Sequence, residues 1–184
     1  MDKKVMILDF SPRNSGNCAN IAQKISEIYN RTNVHVFKID ADNFAPCHDC
    51  NYECLTPEAV CPVRTDTQMQ IMRAATESDL IYFIVPNFCG YPNAAYFAFN
   101  ERSVGFFNMD RVLTKQYMSV PKRFIIVSNT ENENFRNAMQ QQTSEEPKML
   151  YLKTGRYKRR STAGDLMDCE EAVNDLRVFI EEDL

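Results

Sequence analysis

The chain alternates between short runs of consecutive apolar residues and longer stretches in which apolar residues recur every three or four positions. Val5-Met6-Ile7-Leu8, Asp79–Pro86 (DLIYFIVP) and Lys122–Ser128 (KRFIIVS) are runs of the first kind and predict strands buried on both faces. Val34, Val36 and Ile39 within NVHVFKID, and the segment Lys148–Lys153 (KMLYLK), add two more strands. Cys18, Ile21, Ala22, Ile25 and Ile28 follow the helical spacing and predict an amphipathic helix. Further helices are expected over Asp66–Thr76, with Met69, Met72 and Ala75 inward, and over Asn93–Phe107 with an irregular continuation to Met118. Two more are expected around Asn132–Gln142 and from Met167 to Glu181, the last with Ala172, Val173, Leu176, Phe179 and Ile180 on one face. Pro86 lacks an N–H and is expected to end the third ladder.

Five strands alternating with helices through short loops predict an α/β fold, a doubly wound parallel sheet of order 2-1-3-4-5. One domain over residues 1–184 is expected, with an irregular excursion at 43–63 that holds three prolines and four cysteines. The order reverses between the first and third strands, and ligands bind beyond the carboxyl ends of the strands at such a point. The loops meeting there would be Ser11–Asn17, Pro86–Asn93 and Ser128–Glu133.

The first of these loops is the richest in chemistry. A buried strand, a polar loop and a helix start leave the first helical N–H groups without partners at the positive end of the dipole, where a phosphate can sit. Ser11, Ser15 and Asn17 add side-chain donors and Arg13 a full positive charge; the plainer role for Ser15 or Asn17 is to cap the helix. No GxxxxGK[ST] or GxGxxG occurs, and a loop with one glycine, Gly16, suits a terminal monophosphate better than a pyrophosphate. In the second loop, Phe88 and Tyr91 flank Cys89 and Gly90 and offer aromatic faces and backbone donors to a flat heteroatom-rich ring; as core or interface aromatics they would have no such role.

Composition narrows the field. A formal charge of −4 argues against a nucleic-acid role, and no apolar run reaches membrane-spanning length. Met1-Asp2-Lys3-Lys4 leads straight into a strand, without a secretory signal, so the seven cysteines are expected as reduced thiols or ligands in a cytoplasmic setting. The one basic run, Lys153–Arg160, reads as a solvated loop or an anion-binding segment. Cys47, Cys50, Cys54 and Cys61 are four thiols within fifteen residues, open to three readings: a [4Fe-4S] cluster, tetrahedral zinc, or no metal. His48 beside them reads as a surface or hydrogen-bonding residue.

SPRNSGNCAN resembles the Ser-Pro-Arg-x-x-Gly-Asn-Thr loop of the NADPH-dependent FMN reductases, flavoproteins of flavodoxin-like fold. Pro86-x-Phe88-x-Gly90 is similar to their Pro-x-Tyr-x-Gly flavin loop, AGDLMDCEEA to their closing Gly-Asp segment, and PCHDCNYECLTPEAVCPVRTD to the cysteine segment of a subgroup that includes the iron–sulfur flavoproteins. The resemblance implies FMN, its phosphate held by Ser11, Arg13, Ser15, Asn17 and Cys18, with the ring against Pro86, Asn87, Phe88, Cys89 and Gly90 and against Ser128, Asn129 and Thr130. Cys18 stands where a Thr is usual, and Val85 where a Ser is usual.

The implied activity is hydride transfer from NAD(P)H to FMN and onward to a flavin, quinone or other small acceptor, or to a redox protein. The alternatives are an electron-transfer iron–sulfur flavoprotein and a non-enzymatic scaffold with a degenerate site. A homodimer or higher homo-oligomer is expected.

Overall fold

The computed structural model describes residues 3–29, 31–39, 44, 46, 47, 50–55, 61, 67–129 and 133–183. Five parallel strands form the sheet: β1 (Val5–Asp9), β2 (Val34–Lys38), β3 (Leu80–Phe88), β5 (Lys122–Ser128) and β6 (Lys148–Lys153). They lie in the order β2-β1-β3-β5-β6, which is the expected order once the two-residue β4 (Tyr91–Pro92) is set aside. β4 turns back antiparallel on the end of β3.

Strand side chains alternate between faces, so each central strand feeds two cores. Met6, Leu8, Ile81, Phe83, Phe124 and Ile126 face one layer with α2 (Thr67–Thr76), α3 (Ala94–Met109), α4 (Arg111–Ser119) and α5 (Glu133–Gln140). Val5, Ile7, Tyr82, Ile84, Ile125 and Val127 face the other, with α1 (Asn17–Ile28) and α6 (Glu170–Glu181). The first layer is aromatic. Phe10, Phe83, Phe99 and Phe124 are fully buried, and the Phe83 and Phe124 rings stand 5.1 Å apart. Such a ring pair adds about 1 kcal/mol beyond the area it buries.

The strand beyond Pro86 corrects one expectation. β3 runs on to Phe88, with Pro86 in register with Val127. The Ile84 carbonyl accepts the Phe10 amide on the β1 side, and Pro86, two residues on, turns the same edge. β1 has ended there, so the missing N–H leaves no ladder bond unmade. The long helical stretch after Asn93 divides into α3 and α4 at Asp110, whose carboxylate accepts the amides of Val112 and Leu113 at 3.0 Å and caps the second helix. The last helix is shorter than expected: a 3-10 turn over Leu166–Asp168 precedes α6.

At the other end of the strands, Arg123 forms a buried pair with Asp183, and Lys3 donates to the Asp183 carbonyl oxygen. No helix among the described residues is long and apolar enough to cross a membrane.

Candidate functional site

The carboxyl ends of β1, β3 and β5 carry the loops singled out in the sequence, and hydrogen bonds tie them together. Asn93 Nδ2 donates to the Phe10 carbonyl at 2.6 Å, joining the third strand's loop to the first. Asn87 Nδ2 donates to Ser128 Oγ, joining it to the fifth. Asn93 Oδ1 is buried and has no hydrogen-bond partner among the described residues. An unmet acceptor at the root of this crevice is costly unless something else supplies a donor.

β3 and β4 form a tight hairpin, with Asn87 opposite Pro92 and Phe88 opposite Tyr91. The two turn residues, Cys89 and Gly90, both have positive φ (53° and 87°), the signature of a type I′ turn. Gly90 adopts this without strain, while Cys89 accepts it to present an exposed thiol. The Gly90 amide donates to Asn87 Oδ1 at 2.8 Å, which locks the turn. Phe88 and Tyr91 are 71% and 51% exposed. They are open aromatic faces, not core residues.

At the head of α1 the Gly16 position makes no side-chain cap, so the first-turn amides meet no capping oxygen. Neither Ser15 nor Asn17 caps the helix. Ser11 is buried; its amide donates to Asp9 Oδ1 at 2.8 Å and its Oγ accepts the Arg13 amide at 3.3 Å. Ser15 is exposed. Cys18 is buried and burial pushes its thiol well above the ordinary range, so it stays protonated. Asp9 is buried too, and desolvation raises its carboxyl to about 6 against the pull of the Ser11 amide and Lys38. Lys38 donates to Asn14 Oδ1.

Sequence reasoning missed a fourth segment at this loop. Residues 161–166 lie across it as a strap. Arg13 Nη1 donates to the Thr162 carbonyl at 2.8 Å, and Asn17 Nδ2 to the Ser161 carbonyl at 3.0 Å. Asn17 Oδ1 accepts the Leu166 amide at 3.0 Å, and Asn20 Nδ2 donates to the Gly164 carbonyl at 2.6 Å. Gly164 has φ +81°, and a Cβ there would stand 3.3 Å from Gly16 Cα. The Asn17 side chain is thus committed to the strap, and the Arg13 guanidinium lies along Gly16 with its charge on the strap's carbonyls. In the basic run before the strap, Arg156 pairs with Glu171 and Asp175, and Arg159 with Asp165. The signal available in the sequence was Gly164-Asp165, a turn just ahead of the final helix.

Asn129 accepts a hydrogen bond from Thr154 Oγ1. Thr130 and His48 lie outside the described residues. The excursion at 43–63 is described only in part, and the four cysteines are within that part: Cys47, Cys50, Cys54 and Cys61 line one cavity of about 180 Å³ with Tyr52, Leu55 and the α3 residues Glu101, Arg102, Val104 and Gly105. Burial raises the Cys47 and Cys54 thiols, and the neighbouring cysteines add to this.

The sequence matches no protein-family model and no curated protein. The structure is similar to the Trp repressor binding protein from Bacillus subtilis, with TM-score 0.62, 12% identity and 97% of each chain covered. The strand order and this match settle the architecture. The fold is flavodoxin-like. Two further similar structures are of proteins with a named activity. One is the apo form of NADH:FMN oxidoreductase (EmoB), with TM-score 0.55, 9% identity, and coverage of 98% of this chain and 89% of that one. The other is FerB from Paracoccus denitrificans, a flavoenzyme NAD(P)H:(acceptor) oxidoreductase, with TM-score 0.53, 11% identity, and coverage of 96% and 94%. The flavodoxin-like sheet implied by the sequence resemblance is borne out.

Proposed function

We propose that this chain is an FMN-dependent NAD(P)H oxidoreductase that passes electrons to a small acceptor such as a flavin or a quinone. The observation that carries the reading is the uncapped start of α1 at the point where the flavodoxin-like sheet reverses its strand order. The donor set fits a monophosphate: first-turn amides, the Ser11 and Ser15 hydroxyls, and Arg13 released from its strap carbonyls. Asn17 and Cys18 would contribute through their backbone amides, since the Asn17 side chain is engaged by Ser161 and Leu166. Pro86 to Gly90, Ser128 and Asn129 would border the ring, with Phe88 and Tyr91 shielding it from water. FMN, when bound, supplies the hydride and electron chemistry. The similarity to EmoB and FerB supports this reading at the level of fold.

Titrating the purified protein with FMN, followed by flavin fluorescence, and then adding NADPH tests it. Saturable quenching and NADPH oxidation are expected. A protein that neither retains FMN nor oxidises NADPH refutes the proposal and leaves the flavodoxin-like scaffold without catalytic function.

A second reading draws on the thiol cavity: a [4Fe-4S] cluster on Cys47, Cys50, Cys54 and Cys61 that exchanges electrons with FMN. A single ion with Zn–S bonds of about 2.3 Å needs its sulfurs within about 4 Å of one another. Among the described residues no three His, Cys, Asp or Glu side chains are close enough to hold one ion, yet all four thiols line one cavity. Four thiolates are the donor set that such a cluster takes. Iron and acid-labile sulfide in anaerobically purified protein would establish it, and their absence after reconstitution would remove it.

A further inference from the structure

Between the second and third cysteines of the cavity sits a residue in an unusual conformation. Tyr52 has φ +56°, in the left-handed region that bulky side chains avoid. Its side chain is 67% exposed, so ring packing does not compensate for the strain. A strained backbone persists only where its surroundings impose it, and here they are the site itself. The Leu55 amide donates to the Tyr52 carbonyl at 2.8 Å and closes a 3-10 turn over Glu53–Leu55. Cys50 on one side and Cys54 on the other line the same cavity. Across it, a Cβ on Gly105 of α3 would stand 3.7 Å from Cys54 Cβ and 3.8 Å from Cys61 Cβ, so helix and loop are already in close contact. An extended run would hold residues four apart about 13 Å from each other. One left-handed residue followed by a tight turn folds that length back.

We propose that Tyr52 is a positioning residue for the four-thiol centre: its left-handed backbone, not its ring, delivers Cys50 and Cys54 to one site. The inference rests on the cluster reading above. It makes the requirement at position 52 conformational, so the residues that tolerate positive φ should serve and those that resist it should fail.

The test is anaerobic reconstitution of the full chain with iron, sulfide and a thiol reductant, scored as iron and sulfide per chain and as the rate of iron loss to a chelator. Tyr52→Gly and Tyr52→Asn should load as fully as wild type and release iron no faster, because both residues reach positive φ readily. Tyr52→Val should load less iron and sulfide than wild type and lose iron faster to the chelator, because a β-branched side chain resists positive φ more than an unbranched one, with the far-UV spectrum of the sheet and helices unchanged. A Val variant that loads like wild type, or a Gly variant that loads poorly, overturns the inference while the cluster reading stands. Should the Val variant fail to fold, Tyr52→Ala takes its place: it should bind iron about fivefold more weakly than Tyr52→Gly, and equal binding by the two overturns the inference. Wild-type protein that takes up neither iron nor sulfide overturns both.

Discussion

Replacing Asp9 with Asn should stabilise the protein at neutral pH and do nothing comparable in acid. Asp9 ends β1 with 4% of its surface exposed, directly before the candidate phosphate loop. Burial raises its carboxyl from 3.8 to about 6, although the Ser11 amide at 2.8 Å and Lys38 both favour the charged form. The folded state therefore holds its proton more tightly than the unfolded chain. Stability from this group is fully present below pH 3.8 and is lost as pH rises through 6. A shift of about two units at about 1.4 kcal/mol each makes the ionised carboxylate cost about 3 kcal/mol at pH 7. Asn keeps an oxygen for the Ser11 amide and carries no charge. Urea unfolding of Asp9→Asn and wild type at pH 4, 5, 6, 7 and 8 should show the variant's advantage opening between pH 4 and 6 and levelling near 3 kcal/mol. For a chain of this length that corresponds to a Tm rise of about 6–12 °C. Removal of a negative charge beside the loop should tighten FMN as well. A difference between the two proteins that is flat from pH 4 to 8 would refute the argument, because it would mean that Asp9 is not desolvated in the folded state.

Three further outcomes follow from groups already described. Lys122 is buried, with Nζ donating to the Tyr117 and Val120 carbonyls, and burial lowers it from 10.5 to about 7. The unfolded chain binds the extra proton between those values, so wild type should gain stability as pH rises from 7 towards 10, and Lys122→Met should lose that slope in urea melts. Gly164→Ala places a side chain at φ +81° and 3.3 Å from Gly16 Cα; a loss of about 2 kcal/mol and faster tryptic cleavage at Lys158–Arg160 are expected, by thermal melts and timed digestion. Cys18→Thr supplies a hydroxyl at the head of α1 and should lower the FMN dissociation constant several-fold in a fluorescence titration, whereas Cys18→Val should not.

The three central strands were legible because they are buried on both faces and read as unbroken apolar runs: Ile81 to Val85 and Phe124 to Val127 are of strand length and wholly buried. The extent of β3 was not. Whether a proline breaks a ladder depends on which neighbour its edge faces, and Pro86 faces the place where β1 has stopped. The candidate phosphate loop was legible as a local pattern of strand, polar loop and helix. The use to which Asn17 is put was not, because its partners lie about 150 residues away and leave no mark near it. The hairpin turn was visible in Gly90 but not in Cys89, whose positive φ runs against its residue type. The gathering of four cysteines into one cavity follows no period; α3 supplies the wall against which they meet, and nothing near Cys47 announces Gly105.

The strap has a bearing on when the rim of the candidate site can form. β1 and α1 leave the ribosome before the strap, and Arg13 and Asn17 wait for Ser161, Thr162 and Leu166 before the rim around the loop is complete. Until Leu166 has been synthesised, a nascent chain presents that rim half-built. On the proposed function, cofactor capture would wait for that segment, and a molecule stalled before it would lack the finished setting for a flavin.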